Sequence, residues 1–476
     1  MDLRASARSG VAWNSLAVGA TALVGLVQIA IAARFLARED FGLMAMILIV
    51  IGFSQNLADL GTANALLHHQ QATRRQLESL FWLSMAAGGA LFALVAATGL
   101  LFAQLWSQPA LAFWLPISAL VFFFGGASQV SVTLLRRELR FRELAHIELA
   151  AALAGLALVA GLAVGGFGVA ALVGGQLGVS GVRCLLGLLR ARDLFLPAFH
   201  FAWDDVREMV GFGVYQMGER LVNFASWNLD RFLIALWLGA ELLGAYSLAY
   251  QLMIRPFRLI AAVTTRVSRP LLARLQQDRE RMLAGYFTSV RIVALLAFPL
   301  YVGAFLVSDE LVAIVYGEGW GDVASLFAIL WPLGIVYAIG SPVGALVVAT
   351  GRTRVGFLWN LFAAAVQLAA VLIGIQFGLR GVAFAIVLAT LCVIFPCGFY
   401  MRWLLARVAP APFLACLARP LVYAALMGLG VYALSGSLAS FSSGLQLVLL
   451  AAAGAAIYAV LLWTRERQLL LSLRGS

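Results

Sequence analysis

Long apolar runs alternate with short polar segments from one end of the chain to the other. Cutting the sequence at its polar and Gly/Pro-rich segments gives about fourteen runs, each close to the roughly 20 residues that a helix needs to cross the hydrocarbon core of a bilayer. This pattern predicts an all-α polytopic membrane protein, although the fifth and sixth runs also fit one long helix with a glycine-rich kink. The approximate limits are 10–36, 41–66, 79–105, 111–135, 144–165, 168–189, 206–238, 241–266, 285–315, 323–349, 355–377, 380–405, 418–436 and 444–463.

Composition supports the membrane assignment. Of the 476 residues, 63% are hydrophobic and 12% are charged, whereas about a quarter of the residues in soluble domains are charged. Every basic residue is arginine, and the net charge is +11. A nucleic-acid-binding protein concentrates such charge on one face with interleaved aromatic residues, but here the arginines recur in small clusters between apolar runs. We therefore expect membrane lipids, and no nucleic acid, among the partners.

The distribution of arginine predicts the topology. Odd-numbered loops between successive runs are short and poor in arginine, whereas even-numbered loops and the termini hold most of the 33 arginines. Because positively charged loops remain in the cytoplasm, both termini are expected to be cytoplasmic. Six arginines lie well inside the runs, away from the ends, where a charge is costly and usually functional; they are Arg183, Arg220, Arg231, Arg255, Arg258 and Arg291.

An internal repeat is visible at the joints between runs. Ala33–Gly42 matches Ala235–Gly244 in its Ala, Leu, Glu and Gly positions, and two later joints match at nearly the same offset. Each half holds six runs, an even number, so both halves enter the membrane in the same orientation and form a parallel repeat. Chance similarity among Ala-, Leu- and Gly-rich helices is the alternative. The predicted division is an N-terminal six-helix lobe at 1–200, a second lobe at 201–409, and two additional helices with a cytoplasmic tail at 410–476.

The most polar stretch within a membrane run is Gln216–Arg231, in the run 206–238. It carries Glu219, Arg220, Asn223 and Asp230. In the next run Arg255 and Arg258 are three residues apart and therefore share a helix face. Arginine is a permanently charged, bidentate partner for phosphate, so several arginines around one cavity would hold a pyrophosphate. Alternatively, the charges pair with one another as structural contacts, or Arg258 and Arg291 extend to the headgroups.

No catalytic or metal-binding pattern is present in the sequence. The four histidines and four cysteines show no spacing typical of a metal site, a redox motif or a nucleophile–base pair. The sequence therefore predicts no cofactor, no metal and no enzymatic activity. Asp59, Glu148, Glu219 and Asp230 remain as acids that either carry a coupling ion or pair structurally.

The joints between runs resemble those of a known transporter family. They are Gly10–Trp13, Arg34–Gly42, Asp59–Gly61, Asn228–Asp230, Leu238–Gly239 and Gly244–Ala249. They resemble Wzx-type polysaccharide flippases of the multidrug/oligosaccharidyl-lipid/polysaccharide (MOP) exporter superfamily, over essentially the whole chain. The resemblance implies two parallel six-helix lobes around a central cavity, with two additional C-terminal helices.

The resemblance also implies a function. The substrate would be an undecaprenyl-pyrophosphate-linked oligosaccharide, moved across the bacterial inner membrane as the lobes alternate between inward-open and outward-open states. A polymerase and other polysaccharide assembly proteins would be further partners. In such flippases, arginines that face the cavity are thought to attract the lipid pyrophosphate. The expected substrate-binding residues here are Arg34, Gln216, Arg220, Asn223, Arg255 and Arg258.

Three other functions compete with this one. A drug/cation antiporter of the same fold would be expected to have net acidic rather than net basic cavity residues. A membrane-embedded polysaccharide polymerase or glycosyltransferase ordinarily needs a sizeable outer loop or a cytoplasmic domain, and the outer loops here are short. A non-transporting scaffold of the assembly complex would leave the arginines within the membrane unexplained.

Overall fold

The computed structural model describes residues 3–58, 66, 72–438 and 441–466. Side chains at 3–12, 14–15, 208–219 and several positions between 263 and 273 lie outside that description. The helices are α1 (Leu3–Phe35), α2 (Arg38–Ala58), α3 (Arg74–Ala97), α4 (Gly99–Leu105), α5 (Ala110–Ser118), α6 (Leu120–Arg137), α7 (Phe141–Val164), α8 (Val169–Arg190), α9 (Arg207–Arg274), α10 (Arg279–Leu306), α11 (Ser308–Val315), α12 (Gly321–Gly340), α13 (Val343–Thr350), α14 (Thr353–Gly374), α15 (Gly378–Ala389), α16 (Phe395–Ala406), α17 (Pro410–Leu438) and α18 (Ser443–Arg465).

The helices account for the predicted membrane spans. Twelve segments of the described chain are long and apolar enough to cross a membrane. Two of them contain a break, at Gly239 (φ 83°, ψ 179°) and at Gly378 (φ 72°), where a residue with a side chain would be strained. Counting the two halves of each separately gives fourteen spans, as the sequence predicts. The alternative of one long helix at 144–189 is wrong, because a turn with positive φ at Gly166 and Gly168 separates α7 from α8.

The chain forms two compact units, Met1–Gly244 and Ala245–Ser476. In the first unit α7 packs against both α1 and α8, and α3 packs against α6. In the second, α10 packs against α12 and α17, and α17 packs against α18. The first half of α9 therefore belongs to the first unit. The lobe limits at 1–200, 201–409 and 410–476 stay a prediction.

Two glycines bring α3 and α6 into backbone contact. A Cβ atom on Gly88 would lie 2.5 Å from the Phe122 carbonyl oxygen, and one on Gly126 would lie 2.5 Å from the Ser84 carbonyl oxygen. Small residues at a helix interface allow such an approach in membranes, where packing rather than the hydrophobic effect drives association. The adjacent Gly125 has open space around it.

This contact predicts a difference between neighbouring glycines. Gly126→Ala should destabilise the protein by about 1–3 kcal/mol, because the backbone of α3 would have to move. Gly125→Ala is the matched control and should be neutral or stabilising by up to about 1 kcal/mol, because alanine has the higher helix propensity. Thermal unfolding of the purified protein in detergent measures both. Equal shifts of the melting temperature for the two variants would contradict the packing.

The repeated joints meet each other in the first unit. A Cβ atom on Gly42 would lie 1.8 Å from the Ala240 carbonyl oxygen, and one on Gly244 would lie 2.1 Å from the Arg38 carbonyl oxygen. In the alignment of Ala33–Gly42 with Ala235–Gly244, Arg38 corresponds to Ala240 and Gly42 to Gly244. Each contact is therefore the counterpart of the other, as in a two-fold symmetric interface. The arrangement is the one that a duplication of this joint produces.

The segment between α8 and α9 is held against the start of α3. Asp205 accepts hydrogen bonds from the Ser79 hydroxyl (3.0 Å) and lies 3.1 Å from His200 Nε2, while Trp82 donates to the Ala198 carbonyl (2.8 Å). Earlier in the same segment, the Arg140 guanidinium lowers the pKa of the Asp193 carboxyl by hydrogen bonding to it. These contacts fix the entry into α9, which carries most of the candidate site residues.

Candidate substrate-binding site

The first half of α9 has a polar side that runs along much of its length. At 100° per residue, Arg220, Asn223, Asp230 and Arg231 lie on one side of the helix. All four are half-buried. Arg220 and Arg231 are eleven residues apart, which places them roughly 16 Å apart along the helix axis. This side therefore presents charge at two depths of the same membrane span.

Hydrogen bonds order the C-terminal part of this polar side. Arg231 donates from Nη1 to the Asn228 side-chain oxygen (2.9 Å), and Asn228 donates in turn to the Phe224 carbonyl (2.8 Å). Arg220, Asn223 and Asp230 also interact with other groups. The side is thus a polar network rather than a row of isolated charges. Gln216 and Glu219 lie in α9 with side chains outside the described residues.

An apolar cavity of about 400 Å³ lies beside this network in the first unit. The α9 residues that line it are on the neighbouring side of the helix from the arginines, and Asn228 connects the two sides because it lines the cavity and accepts a hydrogen bond from Arg231. Ser54 and Thr98 are the other polar residues of a lining that is otherwise hydrophobic. No charged residue is part of this lining. It is lined by Ile49, Val50, Phe53, Ser54, Leu57, Leu94, Val95, Thr98, Phe102, Phe224, Ala225, Asn228, Leu229 and Phe232.

The second half of α9 carries two arginines, Arg255 and Arg258. Arg255 is half-buried and Arg258 is exposed; their spacing places them on one helix face. The contact that Arg255 makes is to the neutral side chain of Gln251, at 3.5 Å. The charged or titratable groups near it are Tyr316 and Arg258, and neither is a carboxylate. Within the part of the chain described here, neither arginine has an ion pair with a carboxylate.

Two of the other arginines in membrane spans are paired with carboxylates. Arg183 of α8 forms an ion pair with Glu148 of α7. Arg291 of α10 contacts both carboxylate oxygens of Glu466, just beyond α18. Glu148, predicted as a coupling or structural acid, thus has a structural partner. Arg291 is therefore paired, and its extension to the level of the headgroups stays a prediction.

The remaining predicted residues are placed as follows. Arg34 is exposed in the last turn of α1, in the first unit, and takes part in an interaction with another group. Asp59 lies outside the described residues. Arg34, Arg220, Asn223, Glu148 and Asp230 therefore all belong to the first unit, whereas Arg255 and Arg258 belong to the second. Among the described residues, no group of three or more His, Cys, Asp or Glu could hold a metal ion.

Two buried charged residues are not among the predicted site residues. Glu466 is 3% exposed although it follows the last predicted run, and Arg402 is 5% exposed near the end of the run 380–405. Arg402 donates from Nε to the Tyr286 hydroxyl (3.1 Å) and lies 4.5 Å from the centre of the Phe413 ring. The signal for Arg402 is its place within an otherwise apolar run. Nothing local in the sequence marks Glu466, because its partners are on distant helices.

Comparisons with known proteins identify relatives along the chain. Residues 31–325 match the family described as polysaccharide biosynthesis protein. The chain is 29% identical over 377 residues to the lipopolysaccharide biosynthesis protein WzxC of Escherichia coli (strain K12), covering 79% of this chain and 76% of WzxC. It is 28% identical over 474 residues to the succinoglycan biosynthesis transport protein ExoT of Rhizobium meliloti (strain 1021), covering 97% and 93% of the two chains.

A solved structure with the same fold is that of the lipid II flippase MurJ in an inward closed conformation. Its TM-score is 0.77, with 14% identity, and the match covers 96% of this chain and 99% of MurJ. At this identity the match establishes the fold. It confirms the predicted fold, an all-α bundle of many membrane-spanning helices.

Proposed function

The chain belongs to the polysaccharide biosynthesis protein family, and from this we propose that it is a flippase for a lipid-linked oligosaccharide. It moves an undecaprenyl-pyrophosphate-linked repeat unit from the inner to the outer leaflet of the bacterial inner membrane, for O-antigen, capsule or exopolysaccharide synthesis. The names of its relatives support this proposal: WzxC is a lipopolysaccharide biosynthesis protein and ExoT a succinoglycan biosynthesis transport protein. The activity is transport and not catalysis.

The observation that carries the mechanism is the pair Arg255 and Arg258. A diphosphate with a glycan attached cannot enter hydrocarbon without losing its hydration, which costs many kcal/mol. Among the described residues these two guanidinium groups have no carboxylate partner, so they replace part of that hydration by charge-assisted hydrogen bonds to phosphate oxygens. In contrast, Arg183 and Arg291 are already neutralised. We therefore assign pyrophosphate binding first to Arg255 and Arg258.

The polar side of the first half of α9 provides the second set of contacts. Arg220 is proposed to contact an anionic part of the substrate, and Asn223 and Gln216 are proposed to hydrogen-bond the sugar hydroxyls. Arg34 is placed in the same role at the end of α1. The apolar cavity is not the pyrophosphate site, because its lining carries no charge. Both termini are proposed to face the cytoplasm, and polymerase and other assembly proteins are proposed partners.

Deletion of the gene in its host distinguishes transport from polymerisation. If the chain is the flippase, a deletion strain should lose the surface polymer and accumulate the lipid-linked repeat unit facing the cytoplasm, and expression of the chain should reverse both effects. Extraction of lipid-linked oligosaccharides and analysis of the surface polymer measure this. Single repeat units exposed on the outside of the deletion strain would instead indicate a polymerase and would refute the proposal.

A further inference from the structure

The end of α16 contains an arginine in a conformation that rarely accommodates one. Arg407 has φ 53° and ψ 38°, and its backbone N–H bonds to the carbonyls of Arg402 and Trp403. Glycine is the usual residue at this left-handed position after a helix, because it has no Cβ atom to strain the backbone. An arginine here indicates that the side chain has a use, since an observed backbone outlier is a reason to look for function.

The Arg407 side chain lies on an exposed aromatic pair. Its guanidinium carbon is 3.8 Å from the centre of the Trp403 ring, and Trp403 stacks on Tyr400 with ring centres 6.1 Å apart and planes at 14°. Trp403 is 42% exposed and Tyr400 65% exposed. Tryptophan and tyrosine near the end of a membrane span are typical of the level of the lipid headgroups. The stacked set therefore faces lipid at that level.

Two further arginines converge on the same helix end. Arg352, before α14, donates to the Leu404 carbonyl, and Arg279, at the start of α10, donates from Nη2 to the Ala406 carbonyl (3.2 Å). Both are exposed. Each guanidinium has five N–H donors, so most of its donors remain available. The nearby Asp278 is engaged by Arg281 (3.1 Å). In the described part of the chain, Arg279, Arg352 and Arg407 have no ion pair with an acid.

We propose that Arg279, Arg352 and Arg407, with Trp403 and Tyr400, form a binding site for the headgroup phosphate of an anionic phospholipid such as phosphatidylglycerol. Charge complementarity favours an anion, and the exposed aromatic pair favours a membrane lipid over a soluble anion. The topology predicted from the arginine distribution places this helix end at the cytoplasmic leaflet, whose anionic lipids attract basic segments near the surface. The site is separate from the residues assigned to the transported substrate.

Arg407→Gly tests the site without disturbing the backbone. Glycine favours the left-handed conformation, so the variant should melt at the same temperature as the wild type or above it in neutral detergent. Because one basic side chain at an anionic surface contributes about a factor of five in affinity, the variant should bind phosphatidylglycerol about fivefold more weakly. Purified full-length protein is titrated with phosphatidylglycerol in mixed micelles, and its melting temperature is measured at each lipid concentration. Phosphatidylcholine, which has no net charge, is the reference lipid.

Arg380→Gly is the matched control, because Arg380 is an exposed arginine near the opposite end of the α15–α16 segment. It should leave the affinity for phosphatidylglycerol unchanged. If Arg407→Gly lowers the melting temperature in the absence of lipid, the variant Arg407→Asn is used for the titration instead, since asparagine also tolerates this conformation. Wild-type affinity in the Arg407 variant would overturn the proposal. So would stabilisation of the wild type by inorganic phosphate but not by phosphatidylglycerol, which would indicate a site for a soluble anion.

Discussion

Arg255→Ala is expected to lower transport of the lipid-linked oligosaccharide by about 30- to 100-fold, while the amount of protein in the membrane stays normal. The expected loss follows from removing charge-assisted hydrogen bonds to phosphate, which contribute about 2–3 kcal/mol. Folding should tolerate the change, because Arg255 has a weak contact to Gln251 and no described carboxylate that would be left unpaired. Surface polymer in a flippase-deletion strain expressing the variant provides the measurement, with membrane levels determined in parallel.

Two further variants test whether the geometry of the guanidinium group matters in addition to its charge, and whether the effect is specific to Arg255 rather than common to exposed arginines. Arg255→Lys keeps the charge but loses the planar, bidentate guanidinium, so its activity should lie between those of the wild type and the alanine variant. Arg354→Ala removes an exposed arginine at the start of α14 and should leave transport unchanged. If Arg255→Ala supports normal polymer output at normal membrane levels, Arg255 has no part in binding the substrate.

Glu466→Ala is expected to destabilise the protein by about 3 kcal/mol or more, because it leaves a partly buried arginine without its carboxylate. Glu466 joins three helices: it pairs with Arg291 of α10, accepts a hydrogen bond from Tyr423 of α17 (3.4 Å) and itself follows α18. Arg419 is a more distant second cation at 4.0 Å. Chemical or thermal unfolding of the purified protein in detergent measures the change.

Two comparisons accompany Glu466→Ala. One is a double variant of both ion-pair partners, and the other is a variant at the opposite end of α18. The double variant Arg291→Met, Glu466→Leu should recover most of the lost stability, because replacing a buried pair by apolar residues is often neutral. At the other end of α18, Gln446 donates to Glu310 at a partly exposed site (2.8 Å), so Gln446→Ala should cost about 1 kcal/mol or less. The single variants Arg291→Met and Glu466→Leu complete the comparison. If their losses of stability simply add in the double variant, the two residues do not interact and the ion pair is contradicted.

The positions of the membrane spans could be predicted from the sequence because each span is defined locally by a run of apolar residues. The break at Gly239 also coincides with a glycine between two predicted runs. The contacts between spans could not be predicted in this way. The pairing of Glu148 with Arg183, and of Arg291 with Glu466, depends on which helix faces meet, and apolar sequences of similar composition do not specify those faces.

The candidate site could be predicted only in part, because the sequence shows which spans carry a charge but not which groups on other helices face that charge. The cost of charge within a membrane identifies Arg220, Arg255 and Arg258 from the sequence alone. The same rule also selected Arg183 and Arg291, which have carboxylate partners in the structure. A charge within a span therefore marks a residue that has either a partner or a ligand, and the coordinates of distant helices are needed to separate the two. Arg402 adds a third case, in which aromatic rings and a tyrosine hydroxyl surround the charge.

Reconstitution into liposomes measures whether the protein moves the lipid-linked oligosaccharide and whether Arg255 and Arg258 are required. Purified protein would be inserted into vesicles that contain a fluorescent undecaprenyl-pyrophosphate-linked oligosaccharide, and the fraction of the lipid accessible to a membrane-impermeant quencher would be followed over time. The wild-type protein should equilibrate this lipid between leaflets, and the double variant Arg255→Ala, Arg258→Ala should not. Equal rates for the two proteins, or equal transport of a matched lipid without phosphate, would show that these arginines do not bind the pyrophosphate during transport.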